Sequence, residues 1–487
     1  MRSVGATLTA ALVVVALVAG GCTGGRSAGA EDGPVVTRSP AKGVDVIDVA
    51  TPASAALGVS RLLFDRSEVV VLSSPDPEVQ ELAERAARRL GVPMLLPGPA
   101  VPAEIERLGA RTVLGIGTAP DVAGLQEVEP TPAAVDAAVD DLPRADVEPR
   151  DVVVLTRAPG PNRAAVTTAR TAGATVLRAP DADPRSAPDV VAALRDRPKA
   201  AVIGLGRPFR HGLGYQVMAV RRNLEQPGGG LLAFPGRHVV ALYGHPGTPS
   251  LGLLGEQGVG ATVKRAERVA DRYRAQTKAK IVPALEIIAT VASASKGKDG
   301  DYSAEADVED LLPLVRAAEK AGQYVVIDLQ PGRTDFLTQA KRYRSLLLRP
   351  HVGLALDPEW RLKKGQKHLR QIGSVKAAEV NRVSAWLSRL TREQRLPQKL
   401  FVLHQFSTSM ITDRAKVVTT HPELATVIHV DGQGTPAAKK GTWATIRRGA
   451  PAGVHWGWKN FHDEDEPMLT ARQTWNVRPR PDLVTYQ

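Results

Sequence analysis

The sequence predicts an α/β protein, with tandem βαβαβ three-layer units followed by a (β/α)8, TIM-like barrel. Three observations carry this. Apolar strands alternate with helical runs along most of the chain, the order that builds parallel sheets covered on both faces. A strand–helix–strand–helix–strand pattern occurs twice before residue 210. From about residue 238 a regular rhythm of seven or eight strand–helix units begins, the number that closes a barrel. The 487 residues are 43% hydrophobic and 23% charged, a globular composition with room for two or three domains. Aromatic residues are few and unevenly placed. All six Trp and all ten His follow residue 210, and Phe64 is the sole aromatic before Phe209. The first half therefore reads as scaffold, and the second holds the residues with chemistry.

The chain begins MRSVGATLTAALVVVALVAGGC. Arg2 supplies a positive start, Ala6 to Val18 is apolar, and the small residues Ala19, Gly20 and Gly21 precede Cys22. This is the architecture of a secretory signal, and its apolar run is shorter than the ~20 residues that span a bilayer. The small residues before Cys22 resemble the lipobox of bacterial lipoproteins, with Ala19 where that family usually has Leu. The resemblance implies that residues 1–21 are removed and that Cys22 is lipidated. An ordinary signal peptide cut near Cys22 is the alternative. The expected location is the outer face of the bacterial cell membrane, reached by export and held through an N-terminal lipid anchor. Cys22 is the only cysteine, so no intramolecular disulfide is possible and stability must come from core burial. Residues 22–48 are small, polar and punctuated by Pro and Gly, as a flexible tether would be.

The tandem α/β region is expected over 49–235. VVVLSS (69–74) leads into a helical run from Pro75 to Leu90 with Val79, Leu82, Ala83, Ala86 and Leu90 on one face. Gly91 ends it, and strands at 93–96 and 112–117 follow around a short helix. The same punctuation returns with VVVLTR (152–157), a helix near 163–172, Gly173, a strand, a helix at 187–196 and AAVIGLG (200–206). This reads as an internal duplication, with residues 119–150 as its acidic linker. The endings LGIG (114–117) and IGLG (203–206) and the element order resemble the cell wall-binding repeat 2 family. That resemblance implies non-covalent association with the wall. Neither ending completes G-x-G-x-x-G, so a bound dinucleotide is not expected.

The barrel is expected over 236–487, folding as a unit. Its strands are read at 238–247, 281–290, 324–332, 351–360, 400–406, 425–434 and 453–461, with DLVTYQ (482–487) as the eighth. Alternate residues share a face. One face carries Ala241, Tyr243 and His245, then Ala284 and Glu286, then Val326, Asp328 and Gln330. It continues with Ala355, Asp357 and Glu359, then Val427, His429 and Asp431, then His455, Gly457 and Lys459. Each strand turns polar towards its C-terminal end, where barrels build their sites.

Asp357-Pro358-Glu359-Trp360 is the most specific local motif. Paired carboxylates suit glycoside hydrolysis, because proximity drives their proton affinities apart. LALDPEW resembles the fourth-strand D-x-E of chitinase-like barrels, with Ala355 where an earlier acid stands in that motif. The resemblance implies Glu359 as proton donor and Asp357 as its modulating partner. Substrate-binding candidates are Tyr243, His245, Glu286, Asp328, Gln330, Trp360, His404, His429, Asp431, Trp458 and Lys459. The acids of HDEDEP (462–467) read as a solvated loop or a cation site. His245, His404 and His429 also loosely resemble the ligands of metal-dependent amidohydrolase barrels, but that ligand set is incomplete. No metal and no cofactor are therefore expected.

The net charge is +12, concentrated in residues 341–400, which hold 15 Lys/Arg against 4 Asp/Glu. Such a patch attracts anionic wall polymers or lipid head groups, and the export signal argues against nucleic acid. The leading reading is a surface lipoprotein with a glycosidase-like barrel that acts on cell-wall or extracellular glycans. The alternatives are a non-catalytic wall- or saccharide-binding lipoprotein and an amidohydrolase-like barrel.

Overall fold

The computed structural model of the protein describes residues 33–41 and 43–487. The signal segment and Cys22 lie outside the described residues. Among the described residues, no helix is long and apolar enough to cross a membrane.

Two four-stranded parallel sheets form the first half. One runs in the order Met94–Leu95, Val69–Ser73, Thr112–Ile116, Leu125–Val128. The other runs Thr175–Arg178, Val152–Thr156, Ala201–Leu205, Val44–Ile47. The duplication therefore holds for the three strands expected in each unit. The fourth strand comes from different places. In the first unit it is Leu125–Val128, followed by the helix Pro132–Asp140, so residues 119–150 are more than a linker. In the second unit it is Val44–Ile47, from ahead of the first unit. The tether expected over 22–48 is corrected within its described part, residues 22–32 lying outside the described residues: Val35–Thr37 pairs with Phe64–Ser67, and Val44–Ile47 fills a sheet edge. Their backbone groups are satisfied by strand pairing, which a free tether lacks. Gly91 and Gly173 end equivalent helices in the left-handed region, and a Cβ on either would collide with a neighbouring carbonyl.

The second half is a closed barrel of eight parallel strands. They are β1 (Arg237–Gly244), β2 (Lys280–Ala292), β3 (Tyr324–Leu329), β4 (Val352–Leu356), β5 (Lys399–Gln405), β6 (Leu424–Val430), β7 (His455–Asn460) and β8 (Leu483–Tyr486). Each pairs with the next, and β8 closes on β1. The helices Val259–Arg274, Val308–Lys320, Ala377–Glu393 and Pro436–Arg447 occupy their expected places.

Parity sorts the barrel wall as the sequence suggested. Val239, Ala241, Val282, Ala284, Val326, Ala355, Val402 and Val427 form the lower interior. Leu242, Leu285, Ile327, Leu354 and Leu403 face the helices. The interior is plugged from below by Ala233 and Phe234, which precede the expected boundary at 236. The second α/β unit docks at this lower end. Tyr215 donates its hydroxyl to the Leu396 carbonyl at 3.0 Å, and buried Arg185 donates to the Pro422 carbonyl at 2.9 Å. The opposite, C-terminal end of the strands is left as the mouth.

Candidate functional site at the barrel mouth

One turn above the apolar interior, almost every strand contributes a buried polar side chain. These are Tyr243 from β1, Glu286 from β2, Asp328 from β3, Asp357 just beyond β4, His404 from β5, His429 from β6, Lys459 from β7 and Thr485 from β8. Asp431 follows β6 and is also buried. Strand pairing sets their common height: Tyr243 lies opposite Glu286, His404 opposite His429, and Lys459 opposite Thr485.

His404 is the hub. Its Nε2 lies 2.9 Å from Glu286 Oε1, and its Nδ1 lies 3.0 Å from Asp431 Oδ2. Asp328 Oδ1 is 3.9 Å from the same Nε2. Burial opposes a charge on this ring, but Glu286, Asp328 and Asp431 outweigh it and hold His404 protonated well above its ordinary range. His429 goes the other way: burial and the nearby His404 charge keep it neutral. Its Nε2 meets the Thr485 hydroxyl at 3.0 Å. The close fit of the His429 ring requires Gly457, because a Cβ there would overlap it.

Tyr243 donates to Asp328 Oδ2 at 2.8 Å, and the Lys459 ammonium lies 3.5 Å from the centre of the Tyr243 ring. Below the mouth surface, Asp465 accepts from Lys439 at 2.7 Å and from the backbone N–H groups of Gly434 and Phe461. The expectation of a solvated HDEDEP loop is thus corrected for Asp465, whose buried charge is paired and fully hydrogen-bonded.

Above this layer opens a cavity of about 490 Å³. Asp357, Glu359, Asp431 and Lys459 line it, with Tyr243, Trp360 and Phe461 as aromatic walls and Gln330, Gln433 and Glu464 as polar ones. β4 ends at Leu356, and Pro358–Trp360 is a turn of 3-10 helix. The D-x-E is therefore not a strand pair, and Pro358 is the local cause of the turn. Both carboxyls still reach the cavity. Burial, and then the neighbouring Asp431, raise the Glu359 carboxyl to about 7. Burial and the neighbouring Glu359 raise Asp357 well above the carboxylate range, and burial also raises Asp328. Asp431 moves oppositely: burial works against its charge, but the His404 hydrogen bond and charge hold it ionised below the usual value. The ionised partner of Glu359 is thus Asp431 rather than Asp357.

The structure brings Tyr243, Glu286, Asp328, Gln330, Asp357, Glu359, Trp360, His404, His429, Asp431 and Lys459 to one mouth. Two candidates fall elsewhere. His245 points its Nδ1 at the Ile288 carbonyl, 2.8 Å away, and lines a separate shallow pocket with Glu305 and Asp310. Trp458 faces outward against Trp443, with its indole N–H on Asn460 Oδ1, because its neighbours Gly457 and Lys459 take the inward parity. Sequence reading missed Thr485, Phe461, Gln433 and the Lys439–Asp465 pair. Thr485, Phe461 and Gln433 each carried a signal, since alternation continues inward from Leu483 to Thr485, from Lys459 to Phe461 and from Asp431 to Gln433.

His404, His429 and Asp431 can each present one ligand atom within 4.8 Å of the others. In this arrangement both His404 nitrogens are bonded to carboxylates, Nδ1 to Asp431 and Nε2 to Glu286.

Among solved structures, the chain is similar to an HpcH/HpaI aldolase from Desulfitobacterium hafniense. Identity is 12%, coverage is 52% of this chain and 86% of that one, and the TM-score is 0.24. No family model and no curated protein match the chain. The barrel assignment rests on its own strand pairing.

Proposed function

We propose that the protein is a lipid-anchored surface lipoprotein whose barrel hydrolyses cell-wall or extracellular glycans, with the tandem α/β region as its wall-associating part. One observation carries the reading. Two carboxyls on one cavity have proton affinities driven apart, Glu359 held up at about 7 and Asp431 held down. Glycoside hydrolysis needs an acid and a base ready at the same pH.

In the proposed step, Glu359 gives its proton to the bridging oxygen as the bond from that oxygen to the anomeric carbon breaks. A water molecule bonds to that carbon and passes a proton to Asp431. The protein ends with Glu359 ionised and Asp431 protonated, and one proton transfer restores it. Trp360 and Phe461 offer faces for a sugar ring. Gln330, Gln433 and Lys459 supply donors for its hydroxyls. His404 acts through Asp431 as a positioning residue.

Glu359→Gln tests the reading. It should lower the release of reducing ends from wall polysaccharide about a thousandfold while glycan binding stays. A parent protein that binds these glycans but releases no reducing ends would make the barrel a saccharide-binding module and overturn the hydrolase. The anchor is tested separately. Cys22→Ser should move the protein out of the membrane fraction, and unchanged partitioning would remove the lipid from the proposal.

A further inference from the structure

The excursion after β4, residues 361–374, leaves the barrel mouth as a basic loop with an apolar tip. RLKKGQKHLRQIGS holds five Lys/Arg and no Asp or Glu. Arg361 is used inside the fold, 3.0 Å from Glu379 and bonded to the Arg333 and Leu362 carbonyls. Lys363, Lys364, Lys367 and Arg370 are exposed. Among them stand Leu369, 89% exposed, and Ile372, 51% exposed, the two most exposed large hydrophobic side chains among the described residues.

The loop is held in place. His368 Nε2 lies 2.8 Å from the Tyr302 carbonyl, Arg333 donates to the Gln366 carbonyl at 2.9 Å, and the Gly373 N–H donates to the Glu359 carbonyl at 2.7 Å. Leu369 itself sits at φ +60°. A bulky residue in this left-handed conformation is strained. The fold therefore holds an aliphatic side chain in water, at a backbone position better suited to Gly or Asn.

We propose that this loop docks on an anionic lipid bilayer. Leu369 and Ile372 enter its interfacial layer, and Lys363, Lys364, Lys367 and Arg370 meet the phosphate headgroups. The charge selects an anionic partner. The apolar tip selects the bilayer over a soluble polyanion, because a hydrated polymer offers no medium in which two aliphatic side chains leave water. Because the loop is rooted on the Glu359 carbonyl, docking places the mouth close to the membrane surface.

The test uses the full chain carrying Cys22→Ser and Leu369→Cys, with an environment-sensitive dye on residue 369. Phosphatidylcholine vesicles are compared with vesicles that also contain phosphatidylglycerol. The dye should shift to the blue and escape an aqueous quencher on the anionic vesicles alone. Lys363→Gln with Lys364→Gln should raise the lipid needed for half the shift about thirtyfold, at about 1 kcal/mol per lysine. In the unlabelled Cys22→Ser chain, Leu369→Asn with Ile372→Ser should weaken vesicle sedimentation while leaving the fold no less stable to unfolding, because Asn suits the left-handed position that Leu369 holds. A dye that stays in water on anionic vesicles overturns the proposal, even if the N-terminal segment carries the chain to the pellet. An equal shift with soluble polyphosphate also overturns it and makes the partner a polyanion.

Discussion

Glu359→Gln should change the pH dependence of stability as well as activity. The carboxyl is raised from its ordinary 4.5 to about 7 by burial and by Asp431. In this window the folded state binds more protons than the unfolded state, so stability falls as pH rises. The contribution is fully present below about pH 4.5 and is lost as pH passes through about 7. A displacement of that size corresponds to about 3 kcal/mol. Glutamine keeps the shape and has no proton to lose. The unfolding free energy of the variant should therefore gain about 3 kcal/mol on the parent between pH 4.5 and 8. Urea unfolding of both proteins at a series of pH values measures this, and groups remote from the mouth cancel in the difference. A difference that stays flat across the window would show that Glu359 titrates as an ordinary solvated carboxyl. That result would remove both its raised proton affinity and its fitness as the acid.

Three further outcomes follow from the packing. Gly457→Ala places a Cβ against the His429 ring and backbone and should cost about 1–3 kcal/mol in urea unfolding. Lys439→Met leaves the buried Asp465 charge without its partner and should cost about 3–5 kcal/mol, read as a lower thermal midpoint. A chain starting near residue 224 should unfold cooperatively, while one starting at 236 lacks Phe234 beneath the barrel and should be less stable by about 3–5 kcal/mol; equal stability of the two would show that the plug is dispensable.

Local pattern was enough for the elements and their order. The strands of both halves are runs of Val, Ile and Leu bounded by Gly and Pro, and such runs announce themselves within a few residues. Alternation then assigned faces. It puts Tyr243, Glu286, Asp328, His429, Asp431 and Lys459 on the inward side, because a strand has no other way to dispose its side chains. It failed at Asp357-Pro358-Glu359, where β4 stops and the period of two no longer applies.

What the sequence by itself determined is thus the succession of strands and helices, the barrel rhythm and a ring of polar residues late in each strand. Tertiary structure alone decided the rest. The edge strand Val44–Ile47 belongs to the second sheet although it precedes the first, because pairing is chosen by the free edge left after packing. Asp431 is ionised because His404, distant in sequence from Glu286, bonds both Glu286 and Asp431, while burial and the neighbouring Glu359 push Asp357 up. Proton affinity depends on charges within a few ångströms in space, and those distances exist only once the barrel has closed.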